Sequence, residues 1–486
     1  MSDSKPKNWN WDHTYRNLPE QLFSLQQPGP VREPSLQLWN DKLAADLGLS
    51  FLTDQEEEIT AIFSGNKVPE GALPLAQAYA GHQFGYFNIL GDGRAILLGE
   101  QLTPANQRVD IQLKGSGRTP YSRRGDGRAT LSSMLREYII SEAMYHLGIP
   151  STRSLAVVST GEQVYRQPIQ DGAVLTRIAA SHIRVGTFEY VLQQGSTEDL
   201  QAFLDYVIGR HYPALKEAEN PAIALLEKVI EQQIHLVTEW MRVGFIHGVM
   251  NTDNVSIAGE TIDYGPCAFM NAYDPKTVFS SIDRDGRYAF GNQPKIAHWN
   301  MVVFAGTLLP LISDNEEEAA SKARAVLDDF PRRFGDRYYR MLLRKLGITQ
   351  IQVGDKILVD ELLYLLEHHA ADYTNFFVSL STEQFPEEPL YTSAAFEAWH
   401  ESWKRRLSET GGMELAKAVM QANNPAFIPR NHMVEAALQS AVNGDYDPFH
   451  VMLAQAATPY NYDVHAAALQ AVPAGFDSNY QTFCGT

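Results

Sequence analysis

Residues 220–266 constrain the fold of this chain more than any other stretch. Asn220-Pro221 sets a good N-cap ahead of a proline suited to the first helical position. Ile223, Leu226, Ile230, Ile234 and Val237 then recur at helical spacing as far as Gly244, the stripe of a long helix that buries one face. That helix delivers the chain into HGVMNTDNVSIAGETIDYGP, where Asp253-Asn254 precedes Asp263 in an Asp-Tyr-Gly turn. Asn254 and Asp263 are hard oxygen donors of the type Mg²⁺ takes when it bridges phosphates. Either alone would serve equally well as a turn cap.

Around this segment the chain divides into a strand-rich front and a helix-rich back. Residues 81–113 read as strands broken by glycine turns, with Gly91-Asp92-Gly93 as a hairpin turn. VDIQLK, ending at Lys114, alternates apolar and polar residues as a strand does, and a glycine-rich loop follows it. A helix is expected over 130–146, closed by Gly148, and then a strand pair in LAVVST and AVLTRIA. From about residue 188 the pattern is helical. The expected organisation is an N-terminal extension over 1–80 with a short helix at 36–47, a strand-rich lobe over 81–187, a helical lobe over 188–456, and an irregular tail over 457–486.

With 44% apolar and 20% charged residues, 486 residues suffice for two or three lobes with their own cores. A formal charge of −18 argues against a general nucleic-acid binder, which needs clustered Lys and Arg. The longest apolar run, 301–312, is too short to cross a bilayer and contains Pro310. No membrane partner is therefore expected. MSDSKPKNWNWDH has no hydrophobic signal core, so the expected location is the cytoplasm. Cys267 and Cys484 are the only cysteines, which excludes a disulfide framework or a cysteine-based zinc site.

The spacing of the chemical residues follows the outline of a kinase site, in which H-R-D-L-x-x-x-N precedes D-F-G. Seven positions separate His247 from Asn254, as in that motif, but Val249 stands where a kinase carries its catalytic base. Asp253 is the remaining candidate base. Lys114 ends its strand as the kinase V-A-I-K lysine does, and Glu137, or failing it Glu142, lies in the next helix as its partner. Gly91, Gly93 and Arg94, together with the run KGSGRTPYSRRGDGRAT, let backbone N–H groups and arginine approach phosphate. Arg177 and Arg184 fall near the lobe junction. His82, His182, His368 and His369 lack zinc-ligand spacing, and the basic run 332–345 reads as a solvated helix face.

Taken together, GHQFGYFNILGDGRA, DIQLKGSGRTPYSRRGDGRATL, LREYIISEAM, TRIAASHIRVGTFEY, HGVMNTDNVSI and TIDYGP resemble the selenoprotein O family over nearly the whole chain. The resemblance implies an α+β, protein-kinase-like two-lobed fold with terminal extensions. It also implies a protein adenylyltransferase that binds ATP flipped and passes AMP to Ser, Thr or Tyr hydroxyls of proteins, the enzyme itself among them, with release of pyrophosphate. On that pattern Lys114, partnered by Glu137, contacts phosphates, and Gly91, Gly93, Arg94, Asp126 and Gly127 contact the nucleotide. Arg177 and Arg184 hold the terminal phosphates, Asn254 and Asp263 hold Mg²⁺ (or Mn²⁺), and Asp253 accepts the proton. Val249 is then explained, because the flipped geometry needs no base at the usual kinase position. Family members carry selenocysteine or cysteine near the C-terminus, which implies a Cys267–Cys484 redox disulfide pinning the tail near the site. Two competing readings stand beside this one: a phosphotransferase with a displaced base, and an inactive nucleotide-binding pseudokinase scaffold.

Overall fold

The computed structural model describes residues 8–166, 168–465 and 471–483. Its first lobe is a nine-stranded sheet. In chain order its strands are β1 (Trp11–Asp12), β2 (Phe23–Leu25), β3 (Ser35–Trp39) and β4 (Leu75–Gln77), and, after a separate hairpin of β5 (Ala80–Gln83) and β6 (Tyr86–Ile89), β7 (Ala95–Leu102), β8 (Arg108–Lys114), β9 (Ala129–Thr130), β10 (Arg153–Val164) and β11 (Gln170–Ala179). Neighbours run β2-β4-β7-β8-β11-β10-β3, with β1 on β7 and β9 on β11, and every pairing is antiparallel.

Side chains alternate across this sheet with period two. Leu98, Ile111, Leu113, Val158 and Val174 face one layer, packing with Leu43 and Leu47 at α1 (Asp41–Asp46) and Ile59, Ile62 and Phe63 of α2 (Glu56–Phe63). Their neighbours Leu97, Val157 and Leu175 face the opposite layer, with Leu135, Tyr138 and Ile139 of α3 (Leu131–His146). Lys114 and Arg177 fall on the α3 side by the same alternation, and the β8–β11 register sets Lys114 opposite Leu175 and Gln112 opposite Arg177. The two cations are thus diagonal neighbours pointing at one helix.

The second lobe is helical: α4 (Val185–Gln194), α5 (Thr197–His211), α6 (Pro221–Arg242), α7 (Gln293–Ile312), α8 (Glu316–Leu327), α9 (Phe330–Lys345) and further helices over 355–456. As the sequence predicts, the Asn220 side chain caps α6 by accepting from Ile223 N. Helix α6 buries Leu226, Val229, Ile230, Ile234 and Val237. At its C-terminus the buried Lys345 Nζ donates to the Arg242 carbonyl at 2.8 Å, satisfying one of the carbonyls a helix end leaves open. Gly244, at φ 74°, turns the chain into the short strand pair β12 (Phe245–Ile246) and β13 (Ala268–Phe269), which brackets the 247–266 loop.

Three local expectations are revised. The first eighty residues form β1–β4 of the main sheet rather than standing apart from it, and the helix expected over 36–47 is strand β3 followed by the short α1. Gly91-Asp92-Gly93 does not close a hairpin: β6 pairs with β5 and β7 with β8. Asp92 is the reason. Its buried carboxylate accepts from Gln77 N and Gln112 Nε2, both at 3.2 Å, which draws the turn into the lobe. The third concerns the apolar run: with the turn before α7 it forms one helical stretch, Phe290–Ile312, long and apolar enough to cross a membrane by length and composition. Here Met301, Phe304 and Leu308 of that stretch are buried in the core.

Candidate active site

Between the lobes lies a cleft of about 410 Å³. It is lined by Gly91, Gly93, Arg94, Lys114, Asp126, Gly127, Arg177, Arg184, Asp253, Asn254 and Asp263, residues drawn from well-separated segments of the chain. Val249 also faces it. A larger cavity of about 780 Å³ lies between α6 and α9, but its charged lining is mostly arginine, without the lysine–carboxylate and Asp-Asn groupings of the cleft.

Glu137 stands behind the cleft as its electrostatic anchor. Lys114 Nζ donates to Glu137 Oε2 at 2.6 Å and to Asp263 Oδ1 at 2.8 Å. Arg177 donates to Glu137 Oε1 through Nε at 2.9 Å and Nη2 at 2.6 Å, and to Asp263 Oδ1 at 2.6 Å. Two cations and two carboxylates thus close a ring, buried except at Asp263, which is partly open to the cleft. Burial opposes ionisation of both acids, but Arg177 and Lys114 outweigh it and hold Glu137 below, and Asp263 well below, the usual carboxylate range. The alternative partner Glu142 is committed elsewhere, to Arg153 at 2.7 Å. Asp263 has a left-handed backbone at φ 61°, where its carbonyl accepts from Gly265 N at 2.8 Å. Tyr264, next to it, is buried and bonded to Ser151, so the turn is fastened from behind.

Arg184 lies over the Tyr79 ring at 4.2 Å and within 4.0 Å of Asp92. Burial raises Asp92 to about 6, with Arg184 opposing. The glycines are needed where the backbone runs close. A Cβ on Gly127 (φ 73°) would sit 2.2 Å from the Gly117 backbone, and one on Gly91 (φ 136°) 2.4 Å from the Tyr121 ring. Asp126 is paired with Arg166 at 2.9 Å.

Asp253 is in a different environment. It is 8% exposed, its Oδ1 is buried without a hydrogen-bond partner among the described residues, and its Oδ2 accepts from Gln83 Nε2 at a long 3.4 Å. Burial pushes it up to about 6, with Arg184 pulling the other way. The β5–β6 hairpin covers it: His82 N donates to Thr252 Oγ1 at 2.7 Å and Phe84 N to Asn251 Oδ1 at 3.1 Å. A Cβ on Gly81 would lie 2.5 Å from Asp253 Oδ1, so only glycine lets the strand lie this close. Asn254 donates its amide to the Val249 carbonyl at 3.0 Å.

Tyr79, Gln83, Asp92, Tyr121 and Asn251 are cleft residues that motif spacing did not single out. Asp92 was readable only as a turn residue, and Gln83 and Asn251 acquire meaning only once the hairpin lies on the loop. Cys267 is buried, which pushes its thiol up to about 11. Its proposed partner Cys484 lies outside the described residues. The described part of the tail reaches the site: Thr482 Oγ1 donates to the Pro266 carbonyl at 2.7 Å.

This is the cleft of a two-lobed, kinase-like nucleotide transferase, with a lysine ion-paired to Glu137 and Asp263, and valine at the usual base position. Residues 7–457 match the family described as protein adenylyltransferase SelO. A protein nucleotidyltransferase YdiU of Geobacillus kaustophilus is 54% identical over 480 residues, covering 98% of this chain and 99% of that protein. Its counterpart in Brevibacillus brevis is 53% identical over the full length of both. The chain belongs to the SelO family, and with it to the protein nucleotidyltransferases. Among solved structures, ROP2 of Toxoplasma gondii, titled a virulence factor with a protein-kinase fold and no enzymatic activity, is similar at 10% identity and a TM-score of 0.25, covering 68% of this chain and 87% of that one; so low a score carries no argument here.

Proposed function

We propose that this chain transfers AMP from ATP to Ser, Thr or Tyr hydroxyls of proteins, with ATP bound so that its α-phosphate faces the acceptor. The observation that carries the reading is the division of labour between two acids. Asp263 is ionised and locked among cations, whereas Asp253 is poised upward with an unsatisfied oxygen. Environments that push two carboxyls apart assign one to charge binding and the other to proton transfer.

In this reading Lys114, Arg177 and Arg184 hold phosphate oxygens, and the 91–94 and 126–127 turns approach the nucleotide through backbone N–H groups. Asn254 and Asp263 fit a Mg²⁺ or Mn²⁺ site. Because the Asn254 amide nitrogen is spent on Val249, its oxygen is left for the cleft, and Asp263 keeps its charge. Such an ion would supply charge neutralisation on the phosphates. Asp253 takes the proton as the acceptor oxygen bonds to the α-phosphorus and the bond to pyrophosphate breaks. Val249 cannot take a proton, which removes the base from the position where γ-phosphoryl transfer would use it.

The test is incubation with Mg²⁺ and ATP labelled at the α- or the γ-phosphate, with Asp263→Ala as control. Alpha label on protein with a mass gain matching AMP, lost in the variant, is the expected outcome. Gamma label alone would make the chain a kinase with a displaced base. ATP binding without either label would favour the scaffold reading.

A further inference from the structure

The β5–β6 hairpin has one side on the catalytic loop and the other open. Gln83 belongs to the nucleotide cleft, while Phe84 and Tyr86, one and three residues on, line a neighbouring cavity of about 510 Å³. That cavity is completed by residues 282–287 and the start of α7. Among the described residues β6 pairs with no strand but β5, so the backbone of its outer edge around Phe87 is left without a strand partner, while the Ile89 carbonyl accepts from Arg123 Nη2 at 3.2 Å. Tyr86 is 77% exposed, Phe87 41%, Ile89 45% and Ile282 54%. Four large apolar side chains exposed around one open edge and one cavity mark an interaction surface rather than scattered surface residues.

The charges of the cavity bias what it accepts. Asp283 is used internally, accepting from Arg287 N at 2.9 Å and Tyr288 N at 2.8 Å. Arg287 lies over the Trp299 ring at 4.8 Å. Arg284 and Lys295 are exposed on its rim, beside the exposed Asp285. Cations therefore outnumber acids on the rim of a cavity in a chain whose overall charge is −18.

We propose that this surface is the docking site of the acceptor polypeptide. An extended segment lies along the free edge of β6, with apolar side chains against Tyr86, Phe87 and Ile282 and an acidic side chain toward Arg284 and Lys295. Its hydroxyl then passes Gln83 into the cleft to meet Asp253. Strand addition to an open edge supplies affinity through the backbone and selectivity through alternate side chains. The proposal rests on the AMP-transfer reading and adds the chemistry of its acceptor.

The experiment uses the full chain, Mg²⁺, α-labelled ATP and synthetic peptides bearing one Ser, Thr or Tyr, flanked by apolar residues and either Glu or Lys. Glu-flanked peptides should show a KM at least about tenfold below their Lys-flanked isomers. Tyr86→Ser with Phe87→Ser should raise that KM by about tenfold or more with ATP affinity unchanged. Arg284→Glu with Lys295→Glu should invert the Glu-over-Lys preference, a gain that misfolding cannot mimic. Equal KM values for the two peptide classes, or a preference indifferent to charge reversal, would overturn the docking site while leaving AMP transfer intact. Loss of ATP affinity in parallel with peptide labelling would overturn it too. So would light scattering that shows a dimer broken by the Tyr86/Phe87 change, since the patch would then serve a second copy of the chain. A wild type that labels no peptide and no protein, itself included, would remove the AMP-transfer reading and the docking site together.

Discussion

The two sides of the cleft treat their carboxylates in opposite ways. Around Asp263 and Glu137, two buried cations and two acids saturate one another at 2.6–2.9 Å. Around Asp253, one oxygen has no partner among the described residues and the other a single long bond. The first arrangement is a fixed charge template, costly to take apart because burial multiplies the penalty of any unpaired member. The second leaves a carboxyl oxygen underused, which under the proposed function gains most when an acceptor hydroxyl arrives. On the proposed reading, the contrast teaches that the phosphate side is built in advance and the acceptor side is left to be completed.

The largest test of this contrast is Asp253→Asn. It should lower AMP transfer by about 10²–10⁴-fold, the usual range for a general base, with ATP affinity by calorimetry nearly unchanged. A proportionate loss of ATP binding would put Asp253 on the template side. Glu137→Gln should act on stability instead, costing about 3–5 kcal/mol in a denaturant titration, because Lys114 and Arg177 keep their charges in a buried ring that has lost an acid. A cost below about 1 kcal/mol would show that the ring is not a structural unit.

The pH dependence separates the two acids by sign. Asp253 is raised from 3.8 to about 6 in the fold, so the folded state holds its proton more tightly. Its contribution to stability is fully present below pH 3.8 and is lost as pH rises through about 6. Asp253→Asn should therefore stabilise the unliganded protein by up to about 3 kcal/mol at pH 8 and by little at pH 4. Asp263 is lowered, so its contribution is present above the ordinary carboxylate range and is lost as pH falls through its depressed folded value. Asp263→Asn should accordingly destabilise at neutral pH; thermal unfolding across pH 4–8 reads the Asp253 slope, and its extension below pH 4 reads the Asp263 slope. The smallest effect belongs to Gln83→Leu. Removing a weak donor to Asp253 should change the transfer rate by about tenfold or less, moving the acid limb of the pH–rate profile upward.

Much of the template side was legible because its parts are local. Lys114 ends an alternating strand, Glu137 sits in the capped helix that follows, and Asn254 and Asp263 share one loop behind an amphipathic helix. The glycine turn at 91–93 was legible as a turn but not as a buried one, because the partners that bury Asp92, Gln77 and Gln112, come from two other strands. The acceptor side was scarcely legible. GHQFGYF alternates weakly and carries two glycines, and nothing in it announces that Gly81 must touch Asp253. The early strands β1–β4 were hidden by their brevity and by the turn-rich segments between them. The basic run in α9 was readable as a helix, but not as part of the lining of the 780 Å³ cavity, which also needs α6.

By itself the sequence determined the helix that feeds the active loop, the residue types at the metal-type positions, the absence of a carboxylate at Val249, and the family. The first three rest on periodicity, capping and spacing within short stretches, where chain connectivity fixes distance; the family rests on the resemblance of six segments taken together. Only the tertiary structure decided that Arg177 joins Lys114 on Glu137, that Asp253 is left half-satisfied, and that the 80–89 hairpin covers the catalytic loop with one edge open. Those outcomes depend on strand register and lobe packing, which bring residues 170 positions apart within hydrogen-bonding distance, as in His82 N to Thr252 Oγ1. No local pattern encodes a distance of that kind, because it emerges when the two lobes bury their apolar faces together.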